Sequence, residues 1–427
     1  MPTPLLSLAA CLLAAHTAFA VRYRIDTFAG SGDPGSATDV GDGLPATAAS
    51  LDHPAGLVRD ARGDVYIADH NHARVRRVRA SRRRRVMTTV AGTGEQGFGG
   101  DGGRATEARL TLPTGLAFTR RRELLVVDAG SEQSGNTVRR IDAKGIIHTL
   151  AGVGDAPAGD SGDGGRADAA QLNTPLRAVV ARNGDVYIVE LNNNRVRRVR
   201  ASDGIIHPVA GTGLAGDAGD EGPAVDALLD QPAGLALGAH GTLYIADFGN
   251  DRIRVVGADG IIHALAGTGV RTGSVDGEGG DPSDDLHDDG PASAATFFKP
   301  TGIAFDRQGD LLVADQGNNR IRRIARDETG VLSPASIVTT IVGNGVGAFA
   351  GDGGDARAAS LLIPTDVLPL PRGRLLVADR GNDRVRVVVP VSDTTLCSAS
   401  CDDGNPCTVD ACDPTTGCSH VAAPACP

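Results

Sequence analysis

Six short apolar runs, each ending in an acidic residue, recur along the chain between residues 21 and 391. In the first unit, residues 65–68 are apolar or aromatic and Asp69 follows them. The six acids are Asp69, Asp128, Glu190, Asp247, Asp315 and Asp379, separated by 57 to 68 residues. A motif that returns at uneven spacing indicates one repeated structural unit whose loops vary in length.

Each unit contains four runs typical of β-strands, named a to d in chain order. In the first unit they cover residues 55–58, 64–68, 74–79 and 86–91. Turn-forming residues separate the runs, as short antiparallel strands require. Run b is apolar at successive positions, which predicts burial on both faces. Units stacked face to face around a central axis would bury both faces.

The two ends of the array predict how it closes. Residues 25–30 match the d runs but have no a, b or c run before them. The last unit, which ends near Val389, has runs a, b and c but no d. The N-terminal strand can therefore complete the sixth unit and close the ring, which removes exposed sheet edges. The predicted fold is an all-β, six-bladed β-propeller with four-stranded blades.

Two segments carry a family resemblance. Residues 68–76 resemble an NHL repeat, including the Asn71-His72 pair, and residues 314–322 are a second match. Residues 100–105 read Gly-Asp-Gly-Gly-Arg-Ala, a loop that resembles the variant in exported bacterial NHL proteins. The resemblance covers residues 21–391 and implies the propeller fold. It implies little about chemistry, because propellers host many unrelated functions.

The first 20 residues have the features of a secretory signal peptide. Residues 5–15 form an apolar run, and residues 18–20 form a small-x-small cleavage site. The run is too short to span a bilayer, and no later segment is apolar enough to be an anchor. The sequence predicts a secreted, extracellular or cell-surface protein, with the periplasm as another compartment. Lipoprotein anchoring at Cys11 is the alternative, since residues 8–11 resemble a lipobox.

A cysteine-rich tail follows the last unit. Residues 392–396 form a polar linker, and residues 397–427 form a module that resembles one repeated in exported bacterial proteins. Its cysteines are Cys397, Cys401, Cys407, Cys412, Cys418 and Cys426. An even number of cysteines in a short exported segment predicts three disulfides, with fifteen possible pairings. Disulfides must stabilise so small a module, because it cannot build a core.

Charge and composition exclude one class of partner. The net charge is −10, aromatic residues make up 3% of the chain and tryptophan is absent. Nucleic-acid binding relies on basic residues and aromatic stacking platforms, so the sequence argues against it. The absence of tryptophan also disfavours WD repeats. We expect a monomer.

Repeated charges are interpreted first as scaffold. The acid of run b is followed five residues later by arginine in five units, as in Asp69 and Arg74. A pair repeated around a ring predicts a charge-assisted hydrogen bond that holds the b–c turn. The acids of the glycine-rich loops are Asp42, Asp101, Asp163, Asp220, Asp289 and Asp352. We expect them to cap the short helical turns that follow, with Ca²⁺ binding as the alternative.

One loop is far more acidic than the others. It spans residues 276–289 and contains Asp276, Glu278, Asp281, Asp284, Asp285, Asp288 and Asp289. A solvated acidic insertion is the simplest interpretation. Carboxylates at this density attract hard divalent cations, so the loop is the predicted calcium site.

The candidate ligand-binding residues are His53, His70, His72 and Glu190. The three histidines fall at one end of the first unit and could meet, and Glu190 departs from the aspartate of the other units. Neither the Gly-x-Ser-x-Gly nor the His-Glu-x-x-His motif occurs in the sequence. We therefore expect a non-enzymatic binding scaffold for an extracellular protein or carbohydrate at the Asp-rich face. The alternative is a metal-dependent lyase or hydrolase that uses the axial pocket.

Overall fold

The computed structural model describes residues 21–36, 38–80, 85–270 and 286–391, together with the backbone of two strands in the tail. Strand β1 (Arg22–Ala29) comes first. Blade 1 contains β2 (Pro54–Arg59), β3 (Val65–Asp69), β4 (Arg74–Val78) and β5 (Met87–Ala91). Blade 2 contains β6 (Pro113–Phe118), β7 (Leu124–Asp128), β8 (Thr137–Ile141) and β9 (Ile147–Ala151). Blade 3 contains β10 (Pro175–Val180), β11 (Val186–Glu190), β12 (Arg195–Val199) and β13 (Ile206–Ala210).

The remaining blades repeat this order. Blade 4 contains β14 (Pro232–Leu237), β15 (Leu243–Asp247), β16 (Arg252–Val256) and β17 (Ile262–Ala266). Blade 5 contains β19 (Pro300–Phe305), β20 (Leu311–Asp315), β21 (Arg320–Ile324) and β22 (Ile337–Val342), and the short β18 (Gly290–Pro291) pairs with β22. Blade 6 contains β23 (Pro364–Pro369), β24 (Leu375–Asp379) and β25 (Arg384–Val391). The described helices are short 3-10 turns at Ala105–Glu107, Ala167–Ala169, Ala224–Asp226, Ala239–Gly241, Gln316–Asn318, Pro371–Gly373 and Arg380–Asn382.

The N-terminal strand closes the ring. β1 pairs with β25, so the sixth sheet has the order β1-β25-β24-β23. The Ile25 N–H donates to the Gly354 carbonyl at 3.1 Å, and the Ile25 side chain is fully buried. Leu376 of blade 6 and Leu57 of blade 1 belong to one hydrophobic cluster. The predicted six-bladed propeller with its strand-exchange closure is confirmed.

The central strands are buried as their sequence predicts. In β7, β20 and β24 all five residues are buried. The hydrophobic clusters lie between blades, as where Ala68 of blade 1 packs with Leu116 and Val126 of blade 2. Strand b is therefore apolar on both faces because each blade contacts a neighbour on both sides.

Strand c of every blade contains one completely buried arginine. The six are Arg76, Arg139, Arg197, Arg254, Arg322 and Arg386. In blade 1 the Arg76 guanidinium lies 3.1 Å from Asp69 and 2.8 Å from Asp42. It also donates to the Ser50 carbonyl. Two carboxylates and two backbone carbonyls thus surround this guanidinium, and they offset the cost of burying its charge.

The predicted pairing of the strand-b acid with the arginine five residues later is wrong. Asp69 and Arg74 lie opposite each other across β3 and β4, yet Asp69 accepts a hydrogen bond from Arg76, seven residues later. Arg74 donates instead to the Thr93 carbonyl. The same seven-residue pair recurs as Glu190 with Arg197, Asp247 with Arg254, Asp315 with Arg322 and Asp379 with Arg386.

The acids of the glycine-rich loops contact the same buried arginines. They are Asp42, Asp101, Asp163, Asp220, Asp288 and Asp352. The predicted helix-capping role is wrong, since the turns at Ala105–Glu107 and Ala167–Ala169 have no side-chain cap. In blade 5 the sequence points to Asp289, whereas Asp288 lies 2.8 Å from Arg322. These loops hold the blades together because each carboxylate neutralises one buried guanidinium.

The described part of the tail is an antiparallel strand pair, β26 (Thr408–Asp413) and β27 (Gly417–Ala422), in which Cys412 lies opposite Cys418. The cysteines Cys397, Cys401, Cys407 and Cys426 lie outside the described residues, so the three disulfides stay a prediction. Among the described residues, no helix combines the length and the apolar character that crossing a membrane requires.

Candidate functional site

All six blades contribute to a pocket at one end of the propeller axis. Each strand a begins where strand b of the same blade ends, as the pairing of Pro54 with Asp69 shows. Because the a strands of successive blades are neighbours, their first residues surround the axis. The cavity is about 320 Å³, within the range of small-molecule sites.

Two rings of side chains line this axial pocket. The wall ring is formed by the second residue of each strand a, namely Ala55, Thr114, Leu176, Ala233, Thr301 and Thr365. The turn ring is formed by the residue that follows each strand-b acid, namely His70, Ala129, Leu191, Phe248, Gln316 and Arg380. Each blade therefore presents one variable residue per ring on a constant backbone, an arrangement that separates ligand specificity from the fold.

An ion pair crosses the axis below the wall ring. The third residue of strand a is glycine in four blades, but it is Arg177 in blade 3 and Asp366 in the opposite blade 6. Their side chains approach to 3.4 Å. Arg177 also donates to the carbonyls of Ala55, Thr114 and Thr365, at 3.2, 3.1 and 2.8 Å. We call this pair the axial brace, because one guanidinium joins blades 1, 2, 3 and 6.

The glycines at the equivalent positions make room for the axial brace. A Cβ atom on Gly56 would lie 2.6 Å from Nη1 of Arg177 and 2.2 Å from a backbone oxygen. A Cβ atom on Gly302 would lie 2.6 Å from Oδ1 of Asp366. Side chains at these positions would clash with the brace. The Arg177 guanidinium therefore forms the floor of the axial pocket.

The turn ring is chemically divided. Blades 5, 6 and 1 place Gln316, Arg380 and His70 side by side, and blades 2, 3 and 4 place Ala129, Leu191 and Phe248 opposite them. Leu112 and Leu176 extend the apolar side. Among the described residues that line the pocket, there is no carboxylate. The pocket thus has one polar, positively charged half and one apolar half.

Arg380 is the chemically unusual residue of this ring. Its Nε atom is buried without a hydrogen-bond partner, and no carboxylate in the described part of the chain lies within salt-bridge distance of its guanidinium. Burial lowers the pKa of Arg380, and the charge of Asp52 opposes that effect. A cationic side chain that is largely buried without a countercharge is costly for a protein to keep.

His70 is neutral at physiological pH. Burial, followed by the charge of Arg380, lowers the pKa of His70 to about 4. Its Nδ1 lies 3.2 Å from the Pro113 carbonyl, and because a carbonyl only accepts, Nδ1 carries the proton. Nε2 is therefore the acceptor atom of this imidazole.

The structure separates the three candidate histidines. His70 lines the pocket, whereas His72 is buried with its Nδ1 2.9 Å from Asp69. His53 lies outside the lining, with its Nδ1 2.7 Å from Asp52 and 3.7 Å from Asp383. Ligand-type atoms of these last three residues lie within 4.8 Å of one another. Within the described residues, the three side chains that could hold a metal ion thus lie at the junction of blades 6 and 1, beside the pocket.

Glu190 lies behind the turn ring rather than in it. Its side chain is fully buried, accepts a hydrogen bond from Asn193 at 3.2 Å and lies 3.7 Å from Arg197. Burial raises the pKa of Glu190 to about 8, although the charge of Arg197 opposes the shift. The glutamate ends strand b as aspartate does elsewhere, so its contacts are those of the scaffold.

The raised pKa of Glu190 makes a testable contribution to stability. The unfolded chain ionises this group near its ordinary pKa of 4.5, whereas the folded chain holds the proton until about pH 8. The stability that protonated Glu190 contributes to the folded state is therefore complete below pH 4.5, and it is lost as pH rises from there through about 8. We expect Glu190→Gln to gain stability relative to the unmodified protein by on the order of 3 kcal/mol between pH 5 and 9.

Denaturant unfolding at several pH values measures this difference. Asp226→Asn is the matched control, since Asp226 is an exposed carboxylate at the end of the 3-10 turn Ala224–Asp226. Its stability curve should run parallel to that of the unmodified protein. Parallel curves for Glu190→Gln as well would show that Glu190 is ionised in the folded protein at neutral pH.

Most of the predicted calcium loop lies outside the described residues. This holds for Asp276, Glu278, Asp281, Asp284 and Asp285. Of the two described acids, Asp288 forms an ion pair with Arg322, whereas Asp289 is exposed and only its backbone N–H donates, to the Val338 carbonyl. Ca²⁺ binding by this loop stays a prediction.

Comparison with known proteins agrees with the architecture. Residues 71–159 match the Teneurin NHL domain, residues 297–324 match the NHL repeat, and residues 400–422 match the Dictyostelium (slime mold) repeat. The chain is therefore a six-bladed β-propeller that contains NHL repeats, as its sequence predicts. The bacterial exported type and the disulfide module stay predictions.

Several curated proteins are similar over part of the chain. Teneurin-3 of Mus musculus is 30% identical over 291 residues, and Teneurin-4 of Homo sapiens is 31% identical over 297 residues. Each alignment covers 62% of this chain and 10% of the teneurin. The chloroplastic Protein SUPPRESSOR OF QUENCHING 1 of Arabidopsis thaliana is 28% identical over 361 residues, covering 81% of this chain and 31% of that protein. The chain thus corresponds to only a part of each relative.

Solved propellers share the fold at low identity. An auxiliary nutrient binding protein from Bacteroides thetaiotaomicron superposes with a TM-score of 0.58 at 16% identity, covering 86% of this chain and 76% of that one. Its counterpart from Bacteroides ovatus gives a TM-score of 0.57 at 15% identity, covering 87% and 78%. These likenesses establish the architecture and leave the ligand to be argued from the pocket.

Proposed function

We propose that this chain is a non-enzymatic binding propeller that holds its ligand in the axial pocket. The observation that supports this role is the pocket's construction, with two rings of six side chains above the axial brace. The wall ring and the brace sit on the strands a, where pairing with the buried strands b fixes their positions. Such a rigid, concave and partly apolar cavity favours binding of a small molecule or of one end of a larger ligand.

The expected location of the protein outside the cell supports the same proposal. The signal-type leader and the cysteine-rich tail favour an exported protein, working outside the cell or at its surface. Two of the similar solved propellers are described as auxiliary nutrient binding proteins. An extracellular protein or carbohydrate is the proposed partner, with a terminal group of the ligand entering the pocket.

The metal-dependent lyase or hydrolase is the second candidate. Asp52, His53 and Asp383 favour it, because they place three metal-type ligand atoms close together. Two of them already serve the protein, since Asp383 accepts from the His53 backbone N–H and Asp52 accepts from Asn71. The lining of the axial pocket, as far as the structure describes it, contains one histidine and no carboxylate. Binding is therefore the function that the pocket supports best.

A pocket-filling substitution tests the binding role. Ala233 is a buried member of the wall ring, and a phenylalanine there would occupy the cavity. A thermal-shift screen of neutral, cationic and anionic fragments should find compounds that raise Tm of the unmodified protein by mass action. Ala233→Phe should lose these shifts.

The matched control places the same side chain elsewhere. Ala61 is exposed in the turn between β2 and β3, at the opposite end of the blade. Ala61→Phe should therefore keep every shift. Fragments that stabilise Ala233→Phe as strongly as the unmodified protein would place binding outside the axial pocket and contradict the proposed function.

A further inference from the structure

We propose, building on the binding role proposed above, that the axial pocket takes an organic carboxylate with an apolar body, anchored by the guanidinium of Arg380. The carboxylate would lie against blade 6 and the apolar body against blades 2 to 4. Three independent features of the pocket lead to this ligand class. They are the unpaired cation, the absence of a competing anion in the described lining, and the apolar half of the turn ring.

The unpaired cation is the strongest of the three. The six buried arginines of the strands c each contact a loop carboxylate, and Arg177 contacts Asp366. Arg380 is also largely buried and lines the pocket, yet its guanidinium has no such carboxylate partner among the described residues. The protein thus neutralises the six completely buried guanidiniums and that of Arg177 with its own carboxylates, whereas that of Arg380 is left to be completed by a ligand. The planar guanidinium fork matches a carboxylate in two parallel hydrogen bonds.

The neighbours of Arg380 favour an anion over a cation. Gln316 on blade 5 provides an amide donor beside it. His70 on blade 1 is neutral and offers Nε2 as an acceptor, suited to a hydroxyl or amide hydrogen next to the carboxylate. Asp52, whose charge reaches Arg380, is already hydrogen-bonded to Asn71. The charge of Asp52 offsets the effect of burial on Arg380 only in part, and no described carboxylate pairs directly with its guanidinium.

The apolar half selects the rest of the ligand. Phe248 and Leu191 stand opposite the polar half, and Leu176 lies below them in the wall ring. An aromatic ring or short hydrocarbon chain would bury its surface there, which gains about 25 cal/mol for each Å² removed from water. A small inorganic anion would leave this half empty, so an organic acid fits the pocket better.

Isothermal titration with a matched pair of probes tests the ligand class. 3-Phenylpropionate carries a carboxylate and an apolar ring, and 3-phenylpropionamide is its neutral isostere. We expect the acid to bind the full propeller at least about tenfold more tightly than the amide, because only the acid pairs with the guanidinium. Equal affinity for the two probes would overturn the proposal.

Two arginine substitutions assign the effect to Arg380. Arg380→Gln should weaken binding of the acid by about tenfold or more and leave binding of the amide unchanged. It should also raise Tm of the free protein, since it removes an uncompensated buried charge, whereas loss of a purely structural residue would lower Tm. Arg62→Gln, at an exposed arginine in the turn between β2 and β3, should change neither quantity. Unchanged affinity of Arg380→Gln for the acid would contradict the anchor role.

Further measurements distinguish the possible sources of the carboxylate. They also distinguish a failure of the anion proposal from a failure of the binding role. N-Acetylphenylalanine presents the same groups as the end of a peptide; tighter binding than 3-phenylpropionate indicates peptide C-termini, and weaker binding indicates free organic acids. If neutral or cationic fragments bind in a manner sensitive to Ala233→Phe while both acids fail, the binding role stands and the anion proposal is wrong. If nothing binds in that manner, both proposals fail.

Discussion

A chain that begins at residue 31 instead of residue 21 should be far less stable and should aggregate. Removal of β1 deletes Ile25 and Phe28 from the core and leaves β25 as an unpaired edge of blade 6. The two side chains alone contribute about 1.5–3 kcal/mol each through burial. The exposed edge would pair with other molecules, because its backbone groups have lost their partners. Thermal unfolding and analytical ultracentrifugation measure the two effects.

A synthetic peptide of residues 21–30 provides the control for this deletion. Added in excess, it should occupy the vacant edge and restore Tm in a concentration-dependent manner. A point variant covers the case in which the shortened chain does not fold. Ile25→Ser should lower Tm, whereas a serine at the exposed Val21 should not. A shortened chain that stays monomeric with unchanged Tm would contradict closure by β1.

Replacing Arg254 by leucine should cost about 3–5 kcal/mol of unfolding free energy. Its guanidinium lies 3.5 Å from Asp247 and 2.7 Å from Asp220, and it donates to the Leu228 carbonyl at 2.6 Å. Without it Asp247 is left in the core without a countercharge, although burial already raises the pKa of Asp247 to about 6. Denaturant unfolding measures the loss. The double variant with Asp247→Leu should recover part of it, because no carboxylate then needs compensation.

Arg252→Leu is the matched control in the same strand. Arg252 lies opposite Asp247 in the sheet, but it contacts the Thr268 carbonyl and the exposed Asp217 instead. Exposed ion pairs are worth about 0–1 kcal/mol, so its loss should be small. A loss for Arg252→Leu as large as that for Arg254→Leu would show that the five-residue pairing stabilises the blade after all.

The sequence by itself determined the fold, because the evidence for a propeller is local and repeated. Each strand b shows burial on both faces within five residues, as in the run that ends at Asp379. The number of such runs gives the number of blades. Closure of the ring could also be predicted from the sequence, because residues 25–30 have the pattern of a strand d without the other strands of a blade. These features are patterns along the chain, and their physical cause, burial between neighbouring blades, acts on each unit in the same way.

The side-chain contacts within a blade could be predicted from the sequence only in part. Asp69 lies opposite Arg74, as the spacing predicts, but the glycine-rich loop before the blade brings Asp42 to Arg76. The inner arginine is completely buried and takes both acids, because a charge in the core must be compensated more fully than one near the surface. The five-residue spacing between acid and arginine along the chain could not show which arginine the glycine-rich loop would contact.

The site was decided by the tertiary structure alone. Arg177 and Asp366 meet across the axis, although 189 residues separate them in the chain. The sequence did contain a sign of this pair. The third residue of strand a is glycine in four blades, and Arg177 and Asp366 replace it in the other two. Arg380 and His70 likewise belong to the last and first blades, and they become neighbours only when β1 closes the ring. Which variable residues share a pocket depends on blade order around the axis, and that order exists only once the ring is formed.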